Sequence, residues 1–232
     1  MVYLYLFSTI IFWTLGQFFL KIGFTRSNPV SSFILCGVTG FAVGFPFFYF
    51  ADIKADFSDP WRFGAISVWA AMCYLTYYYA IEAGELAIAS ALVGTCPIWT
   101  AIFAVFVMGE TLVTRQWFAA GAVVAGIMLL AISCGPEAAA AEVTAPFNNA
   151  NASNAKWWTC VFISITCAVL TGVADAVTRV VVINKSVSTH LIYYWGAQIV
   201  IGLVLKAAIE RNNFTFSSLF SKYSIIGMFS MN

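Results

Sequence analysis

Residues Tyr77–Ile132 read YYYAIEAGELAIASALVGTCPIWTAIFAVFVMGETLVTRQWFAAGAVVAGIMLLAI, and they decide the fold. From Ala87 to Met108 no side chain is charged, and an apolar run of about 20 residues is what a helix needs to cross a bilayer core. Pro97 falls near the centre of that run. There it removes a backbone donor and frees a carbonyl, a defect tolerated in a membrane only where neighbouring helices or a cavity satisfy the backbone. Glu110 and Arg115 mark a short polar turn, and a further apolar run follows from Trp117 to Ser133. Glu82 and Glu85 flank Gly84 in a connection so short that the spans on either side must be antiparallel neighbours.

Composition extends this reading to the whole chain. Hydrophobic residues make up 62% and charged residues 9%, where a soluble domain carries roughly 25% charge. The fold class is therefore all-α, a polytopic membrane helix bundle. Net charge is +1 with no block of Lys or Arg, so nucleic-acid binding has no support. The first apolar run starts at Val2 with no basic residue before it and is expected to be a membrane span, not a cleaved signal. The six cysteines form no Cys-x-x-Cys pair and read as small buried apolar residues. His190 is the single histidine, which excludes a multi-histidine metal site; no metal or cofactor is expected. An intramembrane enzyme is also unsupported, because neither a His-Glu-x-x-His nor a Gly-x-Ser-x-Gly pattern occurs.

Seven spans are expected. The first, Val2 to about Leu20, puts Trp13, Gln17 and Lys21 on one helix face. The plain alternatives are packing for Trp13 and snorkelling to the interface for Lys21, whereas an amide at Gln17 wants a partner inside the membrane. The second, Val30–Phe50, carries Gly40 and Gly44, a spacing that lets helices approach closely. In the third, Phe63 to about Ala83, Tyr74, Tyr78 and Glu82 share a face; Tyr74 and Tyr78 are candidate cavity walls because a buried phenol needs a partner. Thr95 and Trp99 straddle Pro97 in the fourth. The fifth, Trp117–Ser133, offers Gly121, Ala125 and Gly126 for close packing.

A segment with two prolines and runs of Ala and Asn, residues 135–156, then reads as a linker. Beyond it the sixth span, Trp157 to about Ile183, holds Asp175 with Arg179 four residues on. Charges at such depth usually face a bundle interior or a wet cavity, and this spacing allows the two to pair. In the seventh span, His190 to about Ile209, Tyr194, Gln198 and Gly202 form a polar stripe, and Lys206 counts with the loop charges. An offset of 156 aligns Ser8 with Ser164, Gly16 with Gly172, Asn28 with Asn184, Ser32 with Ser188 and Gly40 with Gly196. That suggests an internal repeat. A five-helix unit is odd-numbered, so its second copy would be inverted in the membrane.

The quoted stretch also resembles the C-terminal part of a repeat from EamA-type carriers of the drug/metabolite transporter superfamily. Four features carry the likeness in order: the tyrosine-rich third helix, Ala87-Ile-Ala-Ser-Ala, the mid-membrane Cys96-Pro97-Ile-Trp99-Thr, and Met108-Gly109-Glu110-Thr111 before a glycine-rich helix. Trp13-Thr-Leu-Gly16 with Lys21 is a partial match to the family's first helix. The resemblance implies a first repeat over 1–134, the linker, and a partial second repeat over 157–232. At the same offset a full second repeat would run to about residue 290, so the sequence is expected to be an incomplete transporter. It also implies a secondary transporter of small metabolites, an amino acid or related amphipathic solute, working by alternating access in the plasma (inner) membrane. Expected cavity residues are Trp13, Gln17, Tyr74, Tyr78, Thr95, Trp99, Asp175, Arg179 and Gln198. Pro97, Gly109 and Glu110 are given structural roles, with Glu110 capping a helix end or pairing with Arg115. Membrane lipid and a small solute are the expected partners, a proton is the candidate coupling ion through Asp175, and a homo-oligomer is allowed. Basic residues decide no orientation; the resemblance implies a cytoplasmic N-terminus. The competing reading is a non-transporting scaffold or an inactive fragment, motivated by the incomplete second repeat.

Overall fold

Among the described residues, three prolines open helices. Pro29 and Pro60 are the first residues of theirs and Pro97 sits in the first turn of another, positions where a missing N–H would have had no helical partner and a fixed φ is already helical. The computed structural model describes residues 7, 11, 14–22, 28–50, 54–84, 86–133, 150–182 and 186–209. Its helices are α1 (14–22), α2 (Pro29–Phe50), α3 (Pro60–Ala83), α4 (Leu86–Val93), α5 (Cys96–Phe106), α6 (Thr114–Ser133), α7 (Ala150–Val182) and α8 (Val187–Ile209). Among the described residues, four candidate spans are long and apolar enough to cross a membrane: Pro29–Phe50, Ile88–Phe106, Trp157–Val182 and Val187–Ile209. The second of these joins α4 and α5 across a break.

Local capping explains where the helix starts depart from the sequence reading. Asn28 begins α2 by accepting the Val30 N–H on Oδ1 (3.0 Å) and the Ser31 and Ser32 N–H groups on its carbonyl. α6 starts at Thr114, not Trp117, because the Gln116 side chain reaches back to accept the Val113 N–H at 2.9 Å, half of a capping box. α7 starts at Ala150, inside the segment read as linker. Its opening Ala-Asn-Ala-Ser-Asn-Ala-Lys is rich enough in alanine to extend a helix already formed downstream. Ser186 and Ser188, at the start of α8, both donate to the Lys54 carbonyl, and Thr189 Oγ1 accepts the Asp56 N–H at 2.7 Å.

Contacts divide the chain into two compact units, residues 1–75 with 181–232 and residues 76–180. In the first unit α2 and α8 run antiparallel. Ser31 lies by Lys206, Ile34 by Gly202, Gly37 by Gln198 and Gly44 by Trp195. Gly40 and Gly44, expected to let backbones approach, instead form a slot for the Trp195 indole, which a Cβ at either position would strike. Phe41 (5.8 Å, edge-on) and Phe48 (5.9 Å, stacked) close over the same ring. Close backbone approach happens at Gly37, where a Cβ would stand 2.8 Å from the Trp195 carbonyl. Lipid tails are as apolar as these side chains, so it is contact of this kind, more than exclusion from water, that holds the helices together.

The second unit is built from the end of α3 with α4, α5, α6 and most of α7. Gly84 makes room for Cys160, whose thiol donates to the Ala80 carbonyl at 3.5 Å. Tyr77 is buried and its hydroxyl meets Ser90 Oγ at 3.3 Å. Phe106, Val107, Trp117, Phe118 and Leu129 point outward, the expected arrangement where the solvent is lipid.

The slot for Trp195 makes a direct prediction. Gly44→Val should destabilise the protein by about 1–3 kcal/mol, as overpacking does, read as a lower melting temperature in detergent or nanodiscs. In a Trp195→Ala background the same change should have little effect. Equal melting of Gly44→Val and wild type would show that the slot does not restrain the helices.

Candidate functional site

Pro97 breaks the fourth span four residues after α4 ends, at the second residue of α5. Its ring crowds the carbonyl four residues earlier and its missing N–H leaves that carbonyl without a helical donor, and here Gly94-Thr95 takes up the change of path. Gly94 N–H still bonds the Ser90 carbonyl at 2.8 Å, Thr95 N–H tightens onto Leu92 at 3.1 Å, and Ile98 N–H bonds Thr95 at 2.9 Å. Thr95 Oγ1 donates back to the Leu92 carbonyl (2.7 Å) and accepts the Trp99 indole N–H (3.3 Å), with no bond to the first amides of α5. One hydroxyl thus ties the two half-helices together, while the N-terminus of α5 carries no side-chain cap.

α7 packs onto this break. A Cβ at Gly172 would lie 2.5 Å from Trp99 Cβ, 2.8 Å from the Cys96 carbonyl and 2.9 Å from the Thr100 amide nitrogen. Asp175 follows three residues later, nearly one turn on, and is exposed. Arg179, one turn further, does not pair with Asp175. It donates to Glu110 Oε2 at 2.9 Å, so both expected pairings, Asp175 with Arg179 and Glu110 with Arg115, are corrected together. The cause is the end of α5. Gly109 adopts φ +68, a left-handed conformation open chiefly to glycine, and the Glu110 N–H folds back to the Ala104 carbonyl at 3.0 Å. Glu110 is thereby presented to the last turn of α7, where a cation also suits the helix dipole.

The remaining predicted residues fall as follows. Thr95, Trp99, Pro97, Gly109, Glu110, Asp175 and Arg179 belong to the second unit, as does Tyr78, which is wholly buried. Gln17, Tyr74 and Gln198 belong to the first unit. There Gln17 is buried, Tyr74 meets Tyr194 edge-on at 6.1 Å, and Gln198 is fully buried. Trp13 lies outside the described residues. An open aromatic pocket in the first unit is lined by Phe45, Phe48, Tyr49, Lys54, Phe57 and Ile192, none of which the sequence reading assigned to a solute. Among the described residues no cluster of three metal-ligating side chains occurs.

Sequence reasoning missed Lys206. It is 2% exposed, and its Nζ donates to Ser31 Oγ at 2.9 Å. The available signal was its register: Gln198, Gly202 and Lys206 are four apart and share one face of α8. His190 was noted only for excluding zinc; its ring lies 3.3 Å from Ser67 Oγ through Nδ1 and stacks on Tyr194.

The model of the EamA-like transporter family matches residues 1–132, more than half of the chain. No curated protein and no solved structure matches it.

Arg179 and Glu110 are 60% and 37% exposed, so their pair should contribute at most about 1 kcal/mol. Glu110→Gln and Arg179→Gln should each lower the melting temperature slightly, and the double variant should lose no more than either alone. Additive losses in that cycle would show that the two side chains act separately.

Proposed function

The chain belongs to the EamA-like transporter family, and from that premise we propose that it is a secondary carrier for a zwitterionic metabolite of the amino-acid class. The family is one of membrane transporters and not of enzymes, and the apolar helices make this chain an integral membrane protein of the drug/metabolite transporter type. The proposal adds the solute class, the mechanism of alternating access between inverted repeats of the kind an offset of 156 suggests, and a place in the cell membrane.

The observation that carries it is the broken fourth span lying against α7. Discontinuous helices at mid-membrane mark solute sites in carriers, because the positive end of a half-helix attracts an anionic group. Here the uncapped N-terminus of α5 sits in a run that otherwise crosses the membrane, and α7 brings Asp175 to within about one turn of the point where Gly172 touches the break. A positive helix end and a carboxylate on adjoining elements suit a carboxylate and an ammonium on one small solute. Trp99 supplies an apolar wall beside them. Asp175 also supplies an ionisable group for coupling to a proton. Gln17, Tyr74 and Gln198 of the first unit, with Trp13, remain proposed cavity residues of the same carrier.

Uptake of a mixed radiolabelled amino-acid panel into proteoliposomes tests this. Pro97→Ala should restore continuity to the span, keep or raise the melting temperature, and reduce uptake about tenfold, the equivalent of one well-placed charged hydrogen bond. Asp175→Asn should abolish uptake driven by a pH gradient while leaving solute counterflow measurable. Unchanged uptake in Pro97→Ala would confine the break to packing, and full pH-driven uptake in Asp175→Asn would remove that carboxylate from coupling.

A further inference from the structure

At the middle of α8, Gln198 is 0% exposed, and among the described residues neither its Nε2 nor its Oε1 has a hydrogen-bond partner. Opposite it stands Gly37 of α2, which has no side chain to offer; a Cβ there would lie 3.1 Å from Gln198 Cβ and 2.8 Å from Ile199 Cγ1. An amide both donates and accepts, and one left unsatisfied away from water is unfavourable by a large margin. Packing does not ask for it. A leucine would fill similar space with no polar atom, and the seam has anchors of its own in the Lys206–Ser31 hydrogen bond and in Trp195 seated at Gly40 and Gly44.

We infer that the α2–α8 seam opens to water at Gln198, and that the packed seam is the closed member of a pair of arrangements. When α2 and α8 part around Gly37, the amide gains the hydrogen bonds it lacks when they close. Gln198 therefore biases the seam towards opening, where an apolar residue would hold it shut. This inference goes beyond the carrier reading and does not depend on the break in the fourth span, because opening can be read without any solute.

Cys36 is the reporter. It adjoins Gly37, is 4% exposed and is in no disulfide, and a thiol reacts with maleimide only as the thiolate, which forms where water reaches it. The full chain in lipid nanodiscs is treated with N-ethylmaleimide, and modification is followed by peptide mass spectrometry at Cys36 and at Cys167, a buried thiol of the second unit. Wild type should label at Cys36 slowly and completely. Gln198→Leu should slow that labelling by about tenfold or more, the population shift expected when an unsatisfied amide is replaced by an apolar group, with Cys167 unchanged. Gln198→Asn, which keeps the amide, should stay near the wild-type rate. Should Gln198→Leu expose both thiols together, it has lost its fold, and Gln198→Met then makes the same comparison. Equal Cys36 rates in wild type and the folded apolar variant, or a wild-type Cys36 that never labels, would overturn the inference.

Discussion

A bilayer interior contains no water to satisfy peptide groups, and that constraint shapes this chain more than any single contact. It makes every described span a helix and confines departures from the helix to places where other atoms take over. The fourth span shows how narrow the allowance is. Pro97 removes one donor and denies α5 the continuous ladder, yet the chain repairs most of the damage within six residues. Gly94, Thr95 and Ile98 each find a carbonyl, and the Thr95 hydroxyl closes onto Leu92 and Trp99. What remains is the uncapped start of α5, beside which α7 passes with no side chain at Gly172.

Association between helices is governed by shape. With apolar tails as solvent, burying another leucine gains little, so the sequence uses glycine where a neighbour must fit. Gly40 and Gly44 hold an indole, Gly84 a cysteine, Gly202 a phenylalanine and an isoleucine, and Gly172 the backbone of α5. Among the described residues, Gly64, Gly121 and Gly126 meet nothing within van der Waals reach. The glycine-rich face of α6, expected to pack closely through Gly121 and Gly126, therefore makes no such contact at either position. Gly109 belongs to a third kind, selected for its backbone angle and not for the room it leaves.

Much of this was legible in the residues, and the reasons are physical. The second, fourth, sixth and seventh span positions follow from largely apolar runs, the break from a proline that removes a donor in mid-run, and the family from motifs lying inside the matched residues 1–132. Residue-level partners were not legible in the same way. Sequence spacing shows which side chains share a face of one helix, so Asp175–Arg179 and Glu110–Arg115 were the pairs on view. The pair that forms, Arg179 with Glu110, joins residues 69 apart and depends on Gly109 taking a positive φ. Lys206 was misread for a related reason. Near the end of an apolar run a lysine ordinarily snorkels out, and nothing local announces that Ser31, 175 residues earlier, waits beneath it. The start of α7 at Ala150 was missed because an Ala/Asn tract has no apolar periodicity, although alanine extends a helix well once one is nucleated.

The polar residues of these helices then separate into two kinds by what satisfies them. Thr39 bonds its own helix at Leu35 and Cys36, Thr100 does the same at Cys96, and Thr95 bridges the break. Each of these bonds lies within about a turn of the hydroxyl that makes it. Lys206 is satisfied from another helix and Arg179 from the connection between α5 and α6, so their bonds fix how elements pack. Gln198 has neither resort. Its amide bonds no described residue, and the facing position on α2 is Gly37. The smallest residue placed opposite a large unpaired amide is an arrangement that close packing alone would not select. It becomes intelligible when the seam is taken as one that also has to open, because the glycine lets the helices close tightly and the amide keeps the closed state from being too stable.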